Sequence, residues 1–323
     1  MLTSLIRRSA VALGLLGLMA GLTQPAFAKF PERPVHLVVP FSPGGGTDLI
    51  ARTLGAEMAK ELGQTVIIEN KPGAGTMIGT DYVAKSTPDG HTVVVASFAH
   101  AVNPSLQPKL SYGSNDAFAP VILIGRGPNV LVVPETSPYK SIEDILAAAK
   151  ADPGGLTFAS QGTGTSAHLA GEMFANLAQV KLTHVPYRGA GPALTDLLGG
   201  HVDMMFATAA AVSNFGGKLR LLGVTTEEPS PRFEGVPPIA KTVPGYRVES
   251  WYGLYVPAGT PDDVIERLNA AAGKAARSED FVNKLEQEGL MIVAGAPEEL
   301  DAYVKGEEAR WAKIVEENGI RPE

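Results

Sequence analysis

Two segments have residue types and spacing suited to holding an anion. The first, PFSPGGGTD, runs from Pro40 to Asp48, directly after the apolar run His36–Val39 and before an amphipathic stretch. Three consecutive glycines, Gly44, Gly45 and Gly46, let the backbone turn sharply and leave amides free to face a ligand at a helix N-terminus. Thr47 can cap that helix or donate a hydroxyl, and Asp48 fits the first turn, where the dipole favours a carboxylate. A flexible connector has the same glycine content, since glycine punctuates loops generally. The second segment, ASQGTGTSAH, Ala159 to His168, holds the same strand-to-helix position. Gly162, Gly164 and Ala167 fit the G-x-G-x-x-A spacing of a dinucleotide turn. The acid such a turn needs about 20 residues on would fall near Thr183 to Val185, where there is none. Hydroxyls on Ser160, Thr163, Thr165 and Ser166 suit an oxyanion better.

Other polar residues carry two readings each. His168 can orient the second loop or act as a satisfied helix-cap histidine. The remaining histidines, His36, His91, His100, His184 and His201, show no metal-ligand spacing, and there is no H-E-x-x-H, so neither metal nor cofactor is expected. In HVPYRGAG, Tyr187 and Arg188 follow a strand. The arginine fork could clamp a carboxylate or form a structural ion pair beside a hinge. Asp203 reads as a strand-end residue bonded to backbone, and Trp251 and Tyr252 as packing at a crossover. No G-x-S-x-G elbow is present, and a triad built from Ser160, His168 and a distant acid has no support in the spacing. The chain does not read as an enzyme.

The elements that must position these turns alternate strand and helix, which implies parallel sheets wrapped on both faces. Strands are expected at His36–Val39, Val66–Ile68, Thr92–Ala96, Val130–Val133, Leu156–Ala159, Lys181–Val185, Val202–Phe206, Arg220–Val224 and Ser250–Val256. Helices are expected at Thr47–Leu62, Ile78–Lys85, Ser166–Leu177, Pro192–Leu198, Asp262–Arg277, Glu279–Glu288 and Pro297–Asn318. One more follows Ser141, whose capping box with Asp144 opens a helix to Ala151. Pro229 to Pro244 is a loop. The last three helices have no sheet of their own, so they return to cover the first one. Two α/β lobes joined by crossovers near Pro128 and Tyr252 form a hinge with a cleft between them. The expected division is residues 29–128 with 253–323 as lobe one and 129–252 as lobe two.

The N-terminus sets the compartment. Arg7 and Arg8 precede an apolar run from Ala10 to Leu22 and then Ala26, Phe27 and Ala28, the order of a secretory signal peptide. The run is shorter than the roughly 20 residues of a membrane span. Cleavage after residue 28 of 323 leaves 295 and moves the formal charge from −7 to −9, because only Arg7 and Arg8 are lost. Such a surface argues against nucleic acid and anionic membranes. There is no cysteine, hence neither a lipid-anchored cysteine nor a disulfide framework. An anionic ligand must then find its positive field locally, at helix starts.

Longer stretches carry a resemblance: FPERPVHLVVPFSPGGGTD, IIENKPGAGTMIG, the PDGHT turn at Pro88, NPSL at Asn103, PNVLVV at Pro128, QGTGTSAHLAGEMF, HVPYRGAGPALTDLLGGHVDMMF, SWYGLYVPAGTP and RWAKIV. Together they span the chain after residue 28. The sequence resembles the tripartite tricarboxylate transporter substrate-binding receptors, the Bug family of type II periplasmic binding proteins. The resemblance implies a two-lobed α/β protein, each lobe a mixed, mostly parallel sheet flanked by helices. It further implies a monomeric periplasmic receptor that captures a small organic acid and hands it to the membrane subunits of a transporter. A sensing module presenting its closed form to a membrane kinase would read the same way. In the family the two loops act as carboxylate pincers, partly through water, which here implies Phe41, Ser42, Pro43 and Gly44 to Asp48 from one lobe, and Ser160, Gly162, Thr163, Gly164, Thr165 and His168 from the other. Phe41 would line the cleft, joined by Ser97, Tyr187, Phe206 and Ala207. After Met204–Phe206 the family often has an acidic or amide-bearing pair, whereas this chain has Ala207 and Thr208. Without an acid to meet an ammonium group, a plain mono- or dicarboxylate is favoured over an amino acid.

Overall fold

The computed structural model describes residues 30–107, 109–212, 215, 217–285, 289–317 and 320. The expected signal peptide lies outside these residues.

The first strands are short apolar runs: β1 (Val35–Val39), β2 (Val66–Asn70) and β3 (Thr92–Ser97). Between β1 and β2 runs α1 (Gly46–Leu62), which buries Ile50, Leu54 and Met58 at helical spacing and ends on Gly63 in the left-handed region. Helix α2 (Met77–Ala84) precedes β3 and α3 (Phe98–Leu106) follows it. The long strand β4 (Phe118–Pro134) leads to α4 (Ile142–Ala151), β5 (Thr157–Ser160), α5 (Ser166–Leu177), β6 (Thr183–Pro186), α6 (Ala190–Leu198), β7 (Met204–Thr208), α7 (Ala209–Val212) and β8 (Leu219–Val224). Last come β9 (Glu249–Pro257), α8 (Asp262–Ala276), α9 (Glu279–Leu285), β10 (Met291–Ile292) and α10 (Pro297–Glu317). The capping box forms as expected, with Ser141 Oγ accepting from Asp144 N–H and the Asp144 carboxylate from Ser141 N–H.

Two features escape the periodicity. Helix α3, which the sequence reading does not list, contains Pro104. The first half of β4 carries Pro120 and Gly125 at irregularities in its pairing with β9. A Cβ on Gly125 would stand 2.6 Å from the Met291 carbonyl, so glycine there permits the approach of β10.

Strand β4 belongs to both lobes. Its residues up to Pro128 pair with β9, and those from Asn129 pair with β7 and β8. Strand β9 opens at Glu249 opposite Pro128 and pairs with β4 and β3. The βαβ partners β1/β2, β1/β3, β5/β6 and β5/β7 are parallel. Pairings of β9 with β3 and β4, and of β4 with β7, β8 and β10, are antiparallel. The sheet is mixed, with an antiparallel centre, because a strand that leaves a lobe and the strand that returns must run against each other. Helix α8 packs on α1 and β4, and α10 on α3 and β4, so the C-terminal helices cover the first lobe.

The two crossings are stitched by one side chain. Thr225 Oγ1 lies 2.8 Å from Asn129 N, accepting its N–H, and 2.6 Å from the Val248 carbonyl to which it donates. Both Thr225 and Asn129 are fully buried. Asn129 Nδ2 donates to Ser166 Oγ at the start of α5 and to the Phe206 carbonyl. The hinge is thereby tied to the helix that follows the second glycine loop.

Candidate functional site

Both glycine loops lie at the carboxyl ends of their strands, where open α/β sheets bind ligands. In the first loop only Gly44 has a left-handed φ, +86°, and Gly45 is extended. Gly45 is needed for another reason: a Cβ there would stand 3.3 Å from Ala190 Cβ on the opposite lobe. Helix α1 has Gly45 as its N-cap and no side-chain cap, leaving its first amides for an outside group. Thr47 sits inside the first turn and does not cap.

Asp48 braces this loop. Its carboxylate accepts from Gly44 N–H (3.0 Å), Arg52 Nε (2.9 Å) and Asn70 Nδ2 (2.9 Å). Burial pushes its pKa up, but these hydrogen bonds outweigh burial and hold it below the usual value. Arg52 neutralises it, so the positive end of α1 keeps its field for a ligand.

The second loop is wired by its own side chains. Ser160 Oγ accepts from Gly162 N–H (3.1 Å) and lies 2.7 Å from His184 Nε2. Thr165 turns its hydroxyl back to the Gly162 carbonyl (2.6 Å), so α5 also starts without a side-chain cap. His168 Nδ1 accepts from Gly164 N–H at 3.2 Å, and its ring centroid lies 4.2 Å from that of His184. Burial lowers the pKa of His168 to about 4; burial and the neighbouring His168 lower that of His184 to about 3. Both rings are neutral at pH 7. His168, inside α5, thereby holds the Gly164 amide.

The loops meet the opposite lobe directly. Ser42 N–H donates to the Arg188 carbonyl (3.0 Å), and a Cβ on Gly191 would stand 3.2 Å from the Pro43 carbonyl. From the other side, Gly164 (φ +81°) fits against Asn103 of α3, where a Cβ would be 2.8 Å from Asn103 Oδ1. Gly75 meets the Thr163 carbonyl in the same way, at 2.6 Å. The seam is closed, and Thr47, Ser97, Asn129, Thr165, Ser166, Thr208 and Ser250 are buried along it and at the hinge. Ser97 ends β3 and is the N-cap of α3, which, like α6, has no side-chain cap.

Three residues expected at the cleft, Phe41, Phe206 and Ala207, are buried. Phe41 is 5% exposed and belongs to the first lobe's apolar cluster with Ile50 and Tyr252. Phe206 and Ala207 are fully buried in the second lobe, Phe206 against Phe158, Phe174 and Tyr246. Helices α5 and α6 both pack on β7. Only Thr208, at the strand end, is positioned near the seam. Tyr187 Oη donates to Asp196 (2.8 Å), and burial together with that carboxylate pushes its pKa up to about 12. Asp203 accepts from Thr157 N–H, as a strand-end acid should.

Beside both loops lies a cavity of about 370 Å³, lined from one lobe by Pro40 and Gly73–Thr76 and from the other by Gln161–Thr163 and Tyr187–Arg188. A larger recess, about 710 Å³, lies beside the crossovers between Thr226–Arg232 and Gly289–Met291. Neither of those walls opens a helix, and the lining sets Arg126, Arg232 and Arg247 against Glu227, Glu228 and Glu249. Among the described residues no group of three or more His, Cys, Asp or Glu could hold a metal. Residues that sequence reasoning passed over, Asn70, Asn103, Asn129, Gln161 and Thr225, act through contacts distant in the chain, and no local pattern announces them.

Two lobes sharing a long strand, with helix starts converging from both sides on one seam, define a solute-binding protein of the periplasmic type. Comparison with known proteins agrees. Residues 50–320 match the family described as "Tripartite tricarboxylate transporter family receptor", and the chain belongs to that family. It is 44% identical over 292 residues to a Pseudomonas sp. protein from the tcbD-tcbE intergenic region, covering 89% of this chain and 87% of that one. It is 34% identical to BugT of Bordetella pertussis, covering 97% and 98%. Among solved structures, a Rhodopseudomonas palustris protein with adipate is similar at TM-score 0.87 and 34% identity, covering 91% of this chain and 100% of that one. MatC from the same organism, with bound malate, gives 0.84 and 36%, covering 88% and 100%.

Proposed function

We propose that this protein is a periplasmic receptor that captures a small organic acid between its lobes and delivers it to the membrane subunits of a tripartite tricarboxylate-type transporter. The observation that carries the reading is the convergence of two uncapped helix starts, α1 and α5, from opposite lobes on one closed seam. Backbone amides and the helix dipoles supply the positive field, which is how a chain of formal charge −7 can hold an anion. Similar proteins with adipate and with malate support a carboxylate as the ligand class. No described helix is long and apolar enough to cross a membrane, in keeping with a receptor released after its leader is cleaved.

At the seam Asp48 is spent on Gly44, Arg52 and Asn70, and β7 ends in Ala207 and Thr208, with no acid at that strand end to meet an ammonium group. The ligand is a mono- or dicarboxylate rather than an amino acid. A thermal-shift screen of organic acids, followed by calorimetry, tests this, because a ligand that binds only the native state raises its melting temperature. Stabilisation by carboxylates is the expected result. Tight aspartate or glutamate binding with no response to plain carboxylates would sink the ligand class. Uptake of the acid in cells lacking the membrane subunits, at an undiminished rate, would sink the transport role.

A further inference from the structure

Closing the seam brings together two turns that each lobe shapes by itself. In the first lobe, residues 73–76 follow an unusual backbone: Ala74 (φ 48°) and Thr76 (φ 82°) are non-glycine residues in the left-handed region, and Gly73 and Gly75 also have positive φ. Such backbone persists only where its surroundings fix it. Asn103 of α3, 1% exposed, does so: its Nδ2 donates to the Gly75 carbonyl (3.0 Å) and to Thr76 Oγ1 (3.3 Å). All of these residues belong to the first lobe, so the turn has its shape before the lobes meet. What it receives is the 163–164 turn of the second lobe. A Cβ on Gly75 would stand 2.6 Å from the Thr163 carbonyl, and one on Gly164 would stand 2.8 Å from Asn103 Oδ1 and 3.5 Å from Leu106 Cδ1. The second turn is likewise held from within its own lobe, with Gly164 N–H donating to His168 Nδ1 and Thr165 Oγ1 to the Gly162 carbonyl.

We infer that Asn103 is a positioning residue for lobe closure: it keeps residues 73–76 as a preformed socket for the 163–164 turn, so that part of the free energy of closing comes from the chain alone. The physical reason is strain. Without Asn103 the Gly75 carbonyl loses its donor, and the turn relaxes out of the left-handed region in the open protein. Closing must then impose the strained shape again, and the second lobe meets a socket that no longer fits. A contact of this kind raises the affinity for every ligand by the same factor, because it acts on the closed population and touches no ligand atom. It separates the strength of binding from the choice of ligand. The inference extends the receptor reading above, but the contact itself can be measured with no ligand present.

The test is cross-linking across the seam. The chain has no cysteine, and a Cβ at Gly45 would stand 3.3 Å from Ala190 Cβ, near the roughly 3.5–4.5 Å of a disulfide. In the protein carrying Gly45→Cys and Ala190→Cys, the rate at which oxidised glutathione joins the pair, read on non-reducing gels without ligand, follows the closed population. Adding Asn103→Ala should slow that joining by about fivefold or more, the scale of one buried carbonyl left without its donor. Gly164→Ala checks the contact from the other side. It should slow joining by about tenfold where Asn103 is present, and by less than about twofold where Asn103→Ala has made room for the new methyl. In the chain without the cysteine pair, calorimetry should show Asn103→Ala weakening every carboxylate that binds by one common factor, close to that seen in cross-linking. An unchanged joining rate in Asn103→Ala, an equal effect of Gly164→Ala in both backgrounds, or affinity losses that differ from ligand to ligand would overturn the socket. A lowered melting temperature with joining and affinity unchanged would leave Asn103 a structural role only and overturn it as well. If no carboxylate binds, the receptor reading fails, and cross-linking still decides the socket.

Discussion

Closure can be separated from folding at two adjacent glycines. Gly45 is extended, at φ −92° and ψ 174°, a conformation open to any residue, so valine there adds no backbone strain. Its Cβ would sit 3.3 Å from Ala190 Cβ, inside the roughly 3.5–4.0 Å of a relaxed carbon contact, and two further methyls need still more room. Overpacking of this kind costs about 1–3 kcal/mol. Because Ala190 belongs to the opposite lobe, the cost falls on the closed state alone. A ligand that binds by holding the lobes together meets that cost in full, so Gly45→Val should weaken binding by about 5- to 150-fold at about 1.4 kcal/mol per factor of ten. Gly44→Ala is the counterpart. Gly44 has φ +86° with nothing within 4 Å of a Cβ, so alanine strains the backbone by about 1–2 kcal/mol whether the lobes are open or closed. It should lower the melting temperature by a few degrees and change affinity less than about threefold. Calorimetry with the acid giving the largest thermal shift, alongside ligand-free melts, reads both quantities. Native affinity in Gly45→Val, or the same melting loss in both variants, would refute the assignment of this contact to closure.

Stability should fall on mild acidification. His168 and His184 bind protons more weakly folded, at about 4 and about 3, than unfolded at about 6.5. As pH falls from about 6.5 toward about 4, the unfolded chain gains protons that the folded one refuses, at up to about 1.4 kcal/mol per unit for each ring. Urea midpoints that stay constant from pH 7.5 to 5 would contradict this. Asp48→Ala removes three hydrogen bonds from a buried carboxylate and should cost about 1–3 kcal/mol, seen as an earlier urea transition. Thr225→Val cuts the stitch between the crossings and should cost a similar amount by the same measurement, while a neutral result would show that the crossings hold without it.

The sequence by itself determined the local elements and the kind of site. Apolar runs such as Val35–Val39, the helical spacing of Ile50, Leu54 and Met58, and glycine turns placed between strand and helix are short-range patterns, and short-range geometry produces them. The family was legible for the same reason, since its motifs are contiguous. What only the tertiary structure decided concerns which groups are left over once the chain has folded. Asp48 looked available and is consumed by Arg52, Asn70 and Gly44; Phe206 and Ala207 are fully buried in the second lobe. Arg188, readable in the sequence as a clamp or as an ion pair, stands exposed once the chain has folded. Burial and hydrogen-bond partnership are set by residues far apart in the chain, such as Asn103 against Gly164 or Thr225 against Val248, and no local pattern encodes them.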